Sequence, residues 1–361
     1  MSESLINIRN LSLEELTLQI TGFGEPKFRA KQVYEWLWKK NARSFDEMAN
    51  IGNKLQSLLA THYFIDAISV EDKQVSSDKT IKCAFGVGGQ NQVIEGVLIP
   101  STSRMTACIS SQVGCSLSCA FCATGRLKMM RNLSSGEIVD QVMYLKNLAQ
   151  NHYNTPLSNI VYMGMGEPLL NYKNVVRSIE ILTDEQGIAM SPRRITVSTA
   201  GIAKMIKQLG DDEVRFNLAL SLHAANDAKR SKIMEINDSN NLDALSEALV
   251  YFHEKTGSRV TYEYIIFKDF NDGMEDAREL AKFCKAVPCK INIIEYNPID
   301  NGIYQQADRE KVDAFANFLS EKCNLIVNVR RSRGKDIDAA CGQLANKNKL
   351  IDQRVLKASA N

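Results

Sequence analysis

At 361 residues the chain exceeds one average domain and is long enough to bury a sizeable core. Hydrophobic residues make up 44% and charged residues 24%, which excludes a fibrous or wholly disordered chain, and a net charge of only +2 leaves any nucleic-acid grip to local basic patches. The opening MSESLINIRNLSLEEL lacks a basic stretch ahead of an apolar core, and no later run reaches the roughly 18 apolar residues of a membrane span, so a cytoplasmic protein without membrane contact is expected.

Residues 10–60 read as helical, with apolar residues of LSLEELTLQI and FRAKQVYEWLWKK recurring at three- and four-residue spacing around the turn TGFGEPKF. This predicts a small N-terminal helical module over 1–75. Lys27, Arg29, Lys31, Lys39, Lys40 and Arg43 on its second helix suit either RNA phosphates or a solvated face, and Trp36 and Trp38 read as core and boundary residues. TIKCAFGVGG and QVIEGVLIP then alternate about Gly86, Gly88 and Gly89, which predicts a β-hairpin linker over 76–103; its glycines are a turn and not a phosphate cradle.

From residue 104 to 345 short apolar runs (TACISS, NIVYMGM, RRITVST, FNLALSL, VTYEYII, KINIIEY) alternate with amphipathic helices. One helix has a visible start, because Ser134 and Glu137 hold capping-box spacing ahead of Ile138, Val139, Val142 and Leu145. The expected fold class is α/β, a partial (β/α)6 TIM-like barrel, followed by a tail over 346–361. Working residues of such barrels lie in loops after the strands.

Nine cysteines in a chain without a secretion signal point to metal or redox chemistry rather than a disulfide framework. Cys115-x3-Cys119-x2-Cys122 follows the first barrel strand directly. Three thiolates can bind three irons of a [4Fe-4S] cluster and leave the fourth open to the amine and carboxylate of S-adenosylmethionine. That spacing resembles the radical S-adenosylmethionine (SAM) superfamily. Structural zinc, the competing reading, ordinarily takes four protein ligands.

The later strands end in polar groups that make an economical cofactor site: Gly166 and Glu167 in GMGEP, Ser198 after RRITV, Ser221-Leu222-His223 after FNLAL, and Asn297 after INIIEY. Taken singly each is an ordinary loop residue, and His223 could serve only a backbone hydrogen bond.

The strings CISSQVGCSLSCAFCATG, RNLSSGEI, YMGMGEPLLN, RRITVSTAG and RRSRGKDIDAACGQL together resemble the RlmN-type adenine-C2 RNA methyltransferases, over the chain to about residue 345. The resemblance implies that Cys341 is first methylated by one SAM and that a deoxyadenosyl radical from a second then makes a methylene radical that adds to C2 of adenine. It further implies that Cys108 resolves the adduct through a transient disulfide with Cys341, that Glu95 is a proton acceptor, and that the substrates are 23S rRNA and tRNA. An electron donor such as flavodoxin or ferredoxin is implied as a partner. Arg126, Lys128, Arg131 and the segment Arg330-Arg331-Ser332-Arg333-Gly334-Lys335 suit RNA phosphates, and the target base is expected to be flipped out.

Two alternatives stay open. The related adenine-C8 enzymes usually have cysteine where this chain has Val113 and lack the proline at Pro168, so both positions favour C2; a non-catalytic RNA-binding iron–sulfur protein would have no use for Cys341. Cys83, Cys284, Cys289 and Cys323 read as packing thiols.

Overall fold

The computed structural model describes residues 5–88, 92–185 and 187–346. Gly89 of the hairpin turn and the tail beyond Asn346 lie outside those residues. The centre of the molecule is one sheet of ten strands: β1 (Ser69–Val75), β2 (Ile81–Gly86), β3 (Val93–Pro100), β4 (Met105–Cys108), β5 (Asn159–Tyr162), β6 (Ile195–Thr199), β7 (Asn217–Ser221), β8 (Val260–Ile266), β9 (Cys289–Glu295) and β10 (Val327–Arg330), hydrogen-bonded in chain order.

β4 to β10 are all parallel, whereas β1, β2 and β3 run as an antiparallel meander onto β4. The parallel run therefore has one strand more than the six read from the sequence. β10 was missed because VNVR is short and half-exposed, and lacks the dense apolar run that marks a doubly covered strand. The hairpin is part of this sheet, and β1 lies within residues expected to be helical. Its burial pattern, mostly exposed, is that of an edge strand rich in charge, which hides the period-2 signal.

Helices return the chain between the parallel strands, as a βα repeat requires. α4 (Ser135–Tyr153) starts where the capping-box spacing placed it: Ser134 Oγ accepts from Glu137 N at 3.2 Å and Glu137 Oε2 accepts from Ser134 N at 2.8 Å. One core runs through the helices and sheet, and a second, smaller cluster of Phe121, Ala224, Ile265, Phe267, Ile294 and Tyr296 lies where the strands end, packed against Cys119 and Cys122. The C-terminal mouth of the barrel is thus lined with apolar side chains before any polar group is added.

The N-terminal module is three helices, α1 (Leu13–Gly22), α2 (Phe28–Trp38) and α3 (Asn53–His62), packed through Leu16, Ile20, Val33, Leu37, Leu55 and Leu59. Trp38 is buried, and Trp36 is half-buried with Lys40 over its ring at 3.8 Å. Among the described residues one buried ion pair joins module to barrel: Arg9 Nη1 lies 2.7 Å from Asp140 Oδ1 on α4, both side chains 1% exposed. Arg9 also donates to Asn41 Oδ1 and Asp66 O, while Asp140 Oδ2 accepts from Ile68 N. Removing one partner strands a charge out of water. Asp140→Ala should therefore cost about 3–5 kcal/mol in urea unfolding and make the 1–68 segment the first to be cut by protease.

Candidate active site

The loop after β4 carries Cys115, Cys119 and Cys122, and it is pinned from several sides. Ala120 N donates to Ile233 O at 3.0 Å, Cys122 N to Cys119 O at 3.1 Å and Gly125 N to Cys122 O at 3.1 Å. None of the three is in a disulfide. Burial pushes the Cys115 thiol up to about 11 and Cys119 further, and the neighbouring thiols and Glu167 add to both shifts. Among the described residues no three ligating side chains converge as they would on a single ion. A cluster does not ask for that convergence, since each thiolate takes its own iron. Three thiols near enough to raise one another's pKa, on a loop pinned by backbone hydrogen bonds, fit a cluster. The shortfall in thiolate character is what a bound cation corrects, because metal binding displaces the protons.

GMGEP forms a tight turn directly against this loop. A Cβ on Gly164 would meet Ile109 carbonyl atoms at 2.7 Å, and one on Gly166, at φ +96°, would meet Gln112 Cβ at 2.5 Å. Glu167 is buried, and both its oxygens accept backbone amides: Oε1 from Leu169 N at 3.0 Å and Oε2 from Ala200 N at 2.8 Å. It therefore ties the end of β5 to the end of β6. Burial raises its pKa against those amides, which lower it.

Ser198 and Ser221 meet hydroxyl to hydroxyl at 3.3 Å, and Leu222 N donates to Glu263 O at 3.0 Å. His223 sits at φ +56° with Nδ1 accepting from Ile265 N at 3.1 Å and its ring edge-on to Phe121. Burial, helped by the nearby Arg230 charge, drives its pKa down to about 3, so it is a neutral strand-end clasp at any working pH. Asn297 Nδ2 donates to Glu295 O and to Cys341 O, and its Oδ1 is buried with no partner among the described residues. An orphan acceptor at the mouth, beside a turn whose glycines leave no room for side chains, fits an SAM site. Gly166, Glu167, Ser198, Ser221, Leu222, His223 and Asn297 thus all fall at the strand ends.

Cys341 reaches the same place from the far end of the chain. Ala123 N donates to Gly342 O at 2.7 Å and Thr124 Oγ1 to Leu344 O at 2.6 Å, so the Cys341 segment is stitched to the cysteine loop itself. The Cys341 side chain is exposed, as a group that must meet a ligand should be. Cys108, at the end of β4, is buried and pushed up to about 12, chiefly by burial and then by the Cys341 charge. Glu95 is fully buried; Oε2 accepts from Ala345 N at 2.9 Å and Asn346 N at 3.1 Å, and Lys82 Nζ lies 3.4 Å from Oε1.

Most of the basic residues expected at RNA phosphates have protein partners. Arg131 makes a two-pronged contact with Glu137 at 2.7 and 2.8 Å, Arg331 and Lys335 both pair with Glu295, and Arg126 donates to the Asp300 and Asn301 carbonyls. Lys128 and Arg330 carry no ion pair among the described residues.

Arg230 is the site residue that the sequence did not disclose. Its guanidinium is fully buried on α5 (Asp227–Ile233) and donates to the carbonyls of Ala200, Ser221 and Leu222 and to Asn237 Oδ1. One cation gathers the ends of β6 and β7; nothing in DAKRSKI distinguishes it from its exposed neighbours. Burial lowers its pKa to about 10. Arg230→Met should lose roughly 3 kcal/mol in urea unfolding through the carbonyls it leaves unpaired, and should weaken SAM binding in equilibrium dialysis.

Fold and mouth together define a radical SAM enzyme, and residues 109–284 match the model of the radical SAM superfamily. Residues 6–65 match the N-terminal domain of ribosomal RNA large subunit methyltransferases. A probable dual-specificity RNA methyltransferase RlmN of Cytophaga hutchinsonii is 56% identical over 94% of this chain and 93% of its own length. The dual-specificity RNA methyltransferase RlmN of Campylobacter fetus is 40% identical over 95% of this chain and 99% of its own. A crystal structure of a radical SAM methyltransferase from Sphaerobacter thermophilus superposes with a TM-score of 0.87 at 36% identity, covering 94% of this chain and 99% of that one. The chain belongs to the RlmN family of radical SAM RNA methyltransferases, whose cofactors are a [4Fe-4S] cluster and SAM.

Proposed function

We propose that this enzyme methylates C2 of adenine in 23S rRNA and in tRNA, beside the anticodon, through a methylated Cys341. The observation that carries the reading is the pair of hydrogen bonds from Ala123 and Thr124 to Gly342 and Leu344, which holds Cys341 against the cysteine loop. Cys115, Cys119 and Cys122 would hold the cluster, and Gly166, Glu167, Ser198, Ser221, Leu222, His223 and Asn297 would line the SAM site. When bound, these cofactors supply the methyl group and the radical chemistry that an electron-poor carbon such as adenine C2 requires.

The chain's own contribution is placement. Cys341 is exposed to accept the methyl, Cys108 lies buried at the end of β4 and, once it has given up its proton, resolves the RNA adduct, and Glu95 holds the backbone at 345–346 so that Cys341 stays over the mouth. Glu95 as proton acceptor is the further role suggested by the family resemblance. Val113 and Pro168 favour C2 over C8. RNA substrates of this kind support a cytoplasmic enzyme served by an electron donor such as flavodoxin or ferredoxin.

The test is anaerobic turnover on unmodified rRNA with SAM deuterated at its methyl, followed by mass spectrometry of the adenosine. A C2-methyl that has lost one of its deuteriums is expected; a C8 product or a fully deuterated methyl overturns the reading. Cys341→Ala should abolish product with its iron content unchanged, and air exposure of the wild type should bleach the protein and remove activity together.

A further inference from the structure

Among the described residues the most exposed large apolar side chain stands at the rim of the mouth. It is Ile303, 81% exposed, on the loop 297–304 that follows β9. The loop is tied down on both sides of it. Before it, Gln343 Nε2 donates to Pro298 O at 3.1 Å, and Arg126 donates to the carbonyl of Asp300 and, at 3.1 Å, to that of Asn301. Gly302 N closes a turn onto Ile299 O at 2.9 Å, where a Cβ would meet the same oxygen at 2.9 Å. After it, the Tyr304 ring packs with its centroid 4.8 Å from that of Phe267 and 5.4 Å from that of Phe270, and Lys268 N donates to Gln305 O at 2.9 Å.

These ties fix where Ile303 stands. Arg126 is four residues after Cys122 on the cysteine loop, and Gln343 is two residues after Cys341. The loop is therefore bonded to both of the segments between which a target base has to enter, and its exposed tip lies beside that entrance.

An apolar side chain exposed on a loose loop needs no explanation. On a loop held this firmly it is a stiff projection, because β-branching restricts its χ1, and little freedom is lost when a partner covers it. The cysteine loop beside it presents Arg126 and Lys128, both exposed. The carbonyls that Arg126 holds do not cancel its charge. One apolar tip next to cations suits a nucleic acid, which offers a base stack to enter and phosphates to pair. A protein partner would ask instead for a contiguous apolar patch.

We propose that Ile303 is the wedge that opens the RNA at the target adenine. It enters the stack where the base leaves, so that the base turns into the mouth while its neighbours keep an apolar surface against them. Burial of the isoleucine offsets the unstacking that flipping requires. Ile303 is thus a positioning residue, and the inference deepens the proposed function because it rests on the adenine being drawn out of the RNA.

The probe is an anticodon stem-loop with 2-aminopurine in place of the target adenine. Its fluorescence rises when the base leaves the stack, and its C2 amino group prevents turnover. Saturation with the full-length, cluster-bearing enzyme should brighten it. Ile303→Ser should lose most of the rise, and Ile303→Met, which is still apolar and of similar reach, should keep it. On the unmodified stem-loop I303S should lower kcat/KM by roughly tenfold or more. On a stem-loop with abasic nucleotides on both sides of the target adenine there is no stack to enter, and I303S should match the wild type.

An undiminished rise with I303S, an equal loss on both RNAs, or a Met variant as impaired as the Ser variant overturns the proposal. Slower reduction of the cluster by flavodoxin with the fluorescence rise intact overturns it also, since Ile303 would then belong to a protein-docking surface. A wild type that brightens the probe yet forms no C2-methyladenosine would overturn the proposed reaction and leave the wedge standing.

Discussion

Holding Cys341 over the cysteine loop is the constraint on which the rest of the structure depends, because the two come from opposite ends of the barrel sequence. The segment after β10 has little regular structure to stiffen it, so its position is set by attachments at both ends. Upstream, Asp336 accepts from Ser76 Oγ at 2.6 Å and Ser77 N at 2.9 Å, and Gly334 N donates to Asp78 Oδ2 at 2.9 Å. Downstream, Glu95 takes the amides of Ala345 and Asn346. Gly334 has to be glycine there: at φ +67° a Cβ would meet Ala339 Cβ at 2.7 Å. Both anchors belong to the β1–β3 meander, which explains what an antiparallel extension is doing on a parallel sheet. It is the bracket for the Cys341 segment, and its buried Lys82–Glu95 pair is the fixed end of that bracket.

The same logic shows which parts could be read from sequence. The cysteine loop, the capping box at Ser134 and the polar residues at strand ends are local patterns, and each came out where the spacing put it. Arg230 and the Asp140–Arg9 joint depend on what lies opposite them in three dimensions. Basic residues also have partners that a linear string does not show. Arg131, Arg331 and Lys335 look free in a linear string, yet Glu137 and Glu295 are buried carboxylates that need them. β1 and β10 were lost because exposed edge strands lack the apolar run by which their buried neighbours are recognised.

Electrostatics explains why so many ionisable groups can share one apolar mouth. Cys108, Cys115, Cys119, Glu167, Glu263 and Cys341 are all shifted towards their neutral forms, with burial the largest cause for each. The nearby Arg230 spends its donors on carbonyls and so steadies backbone more than it neutralises side chains. His223 stays uncharged. Left alone, such a cavity resists negative charge; it accepts thiolates when positive charge arrives with the ligands, as iron and a sulfonium both bring.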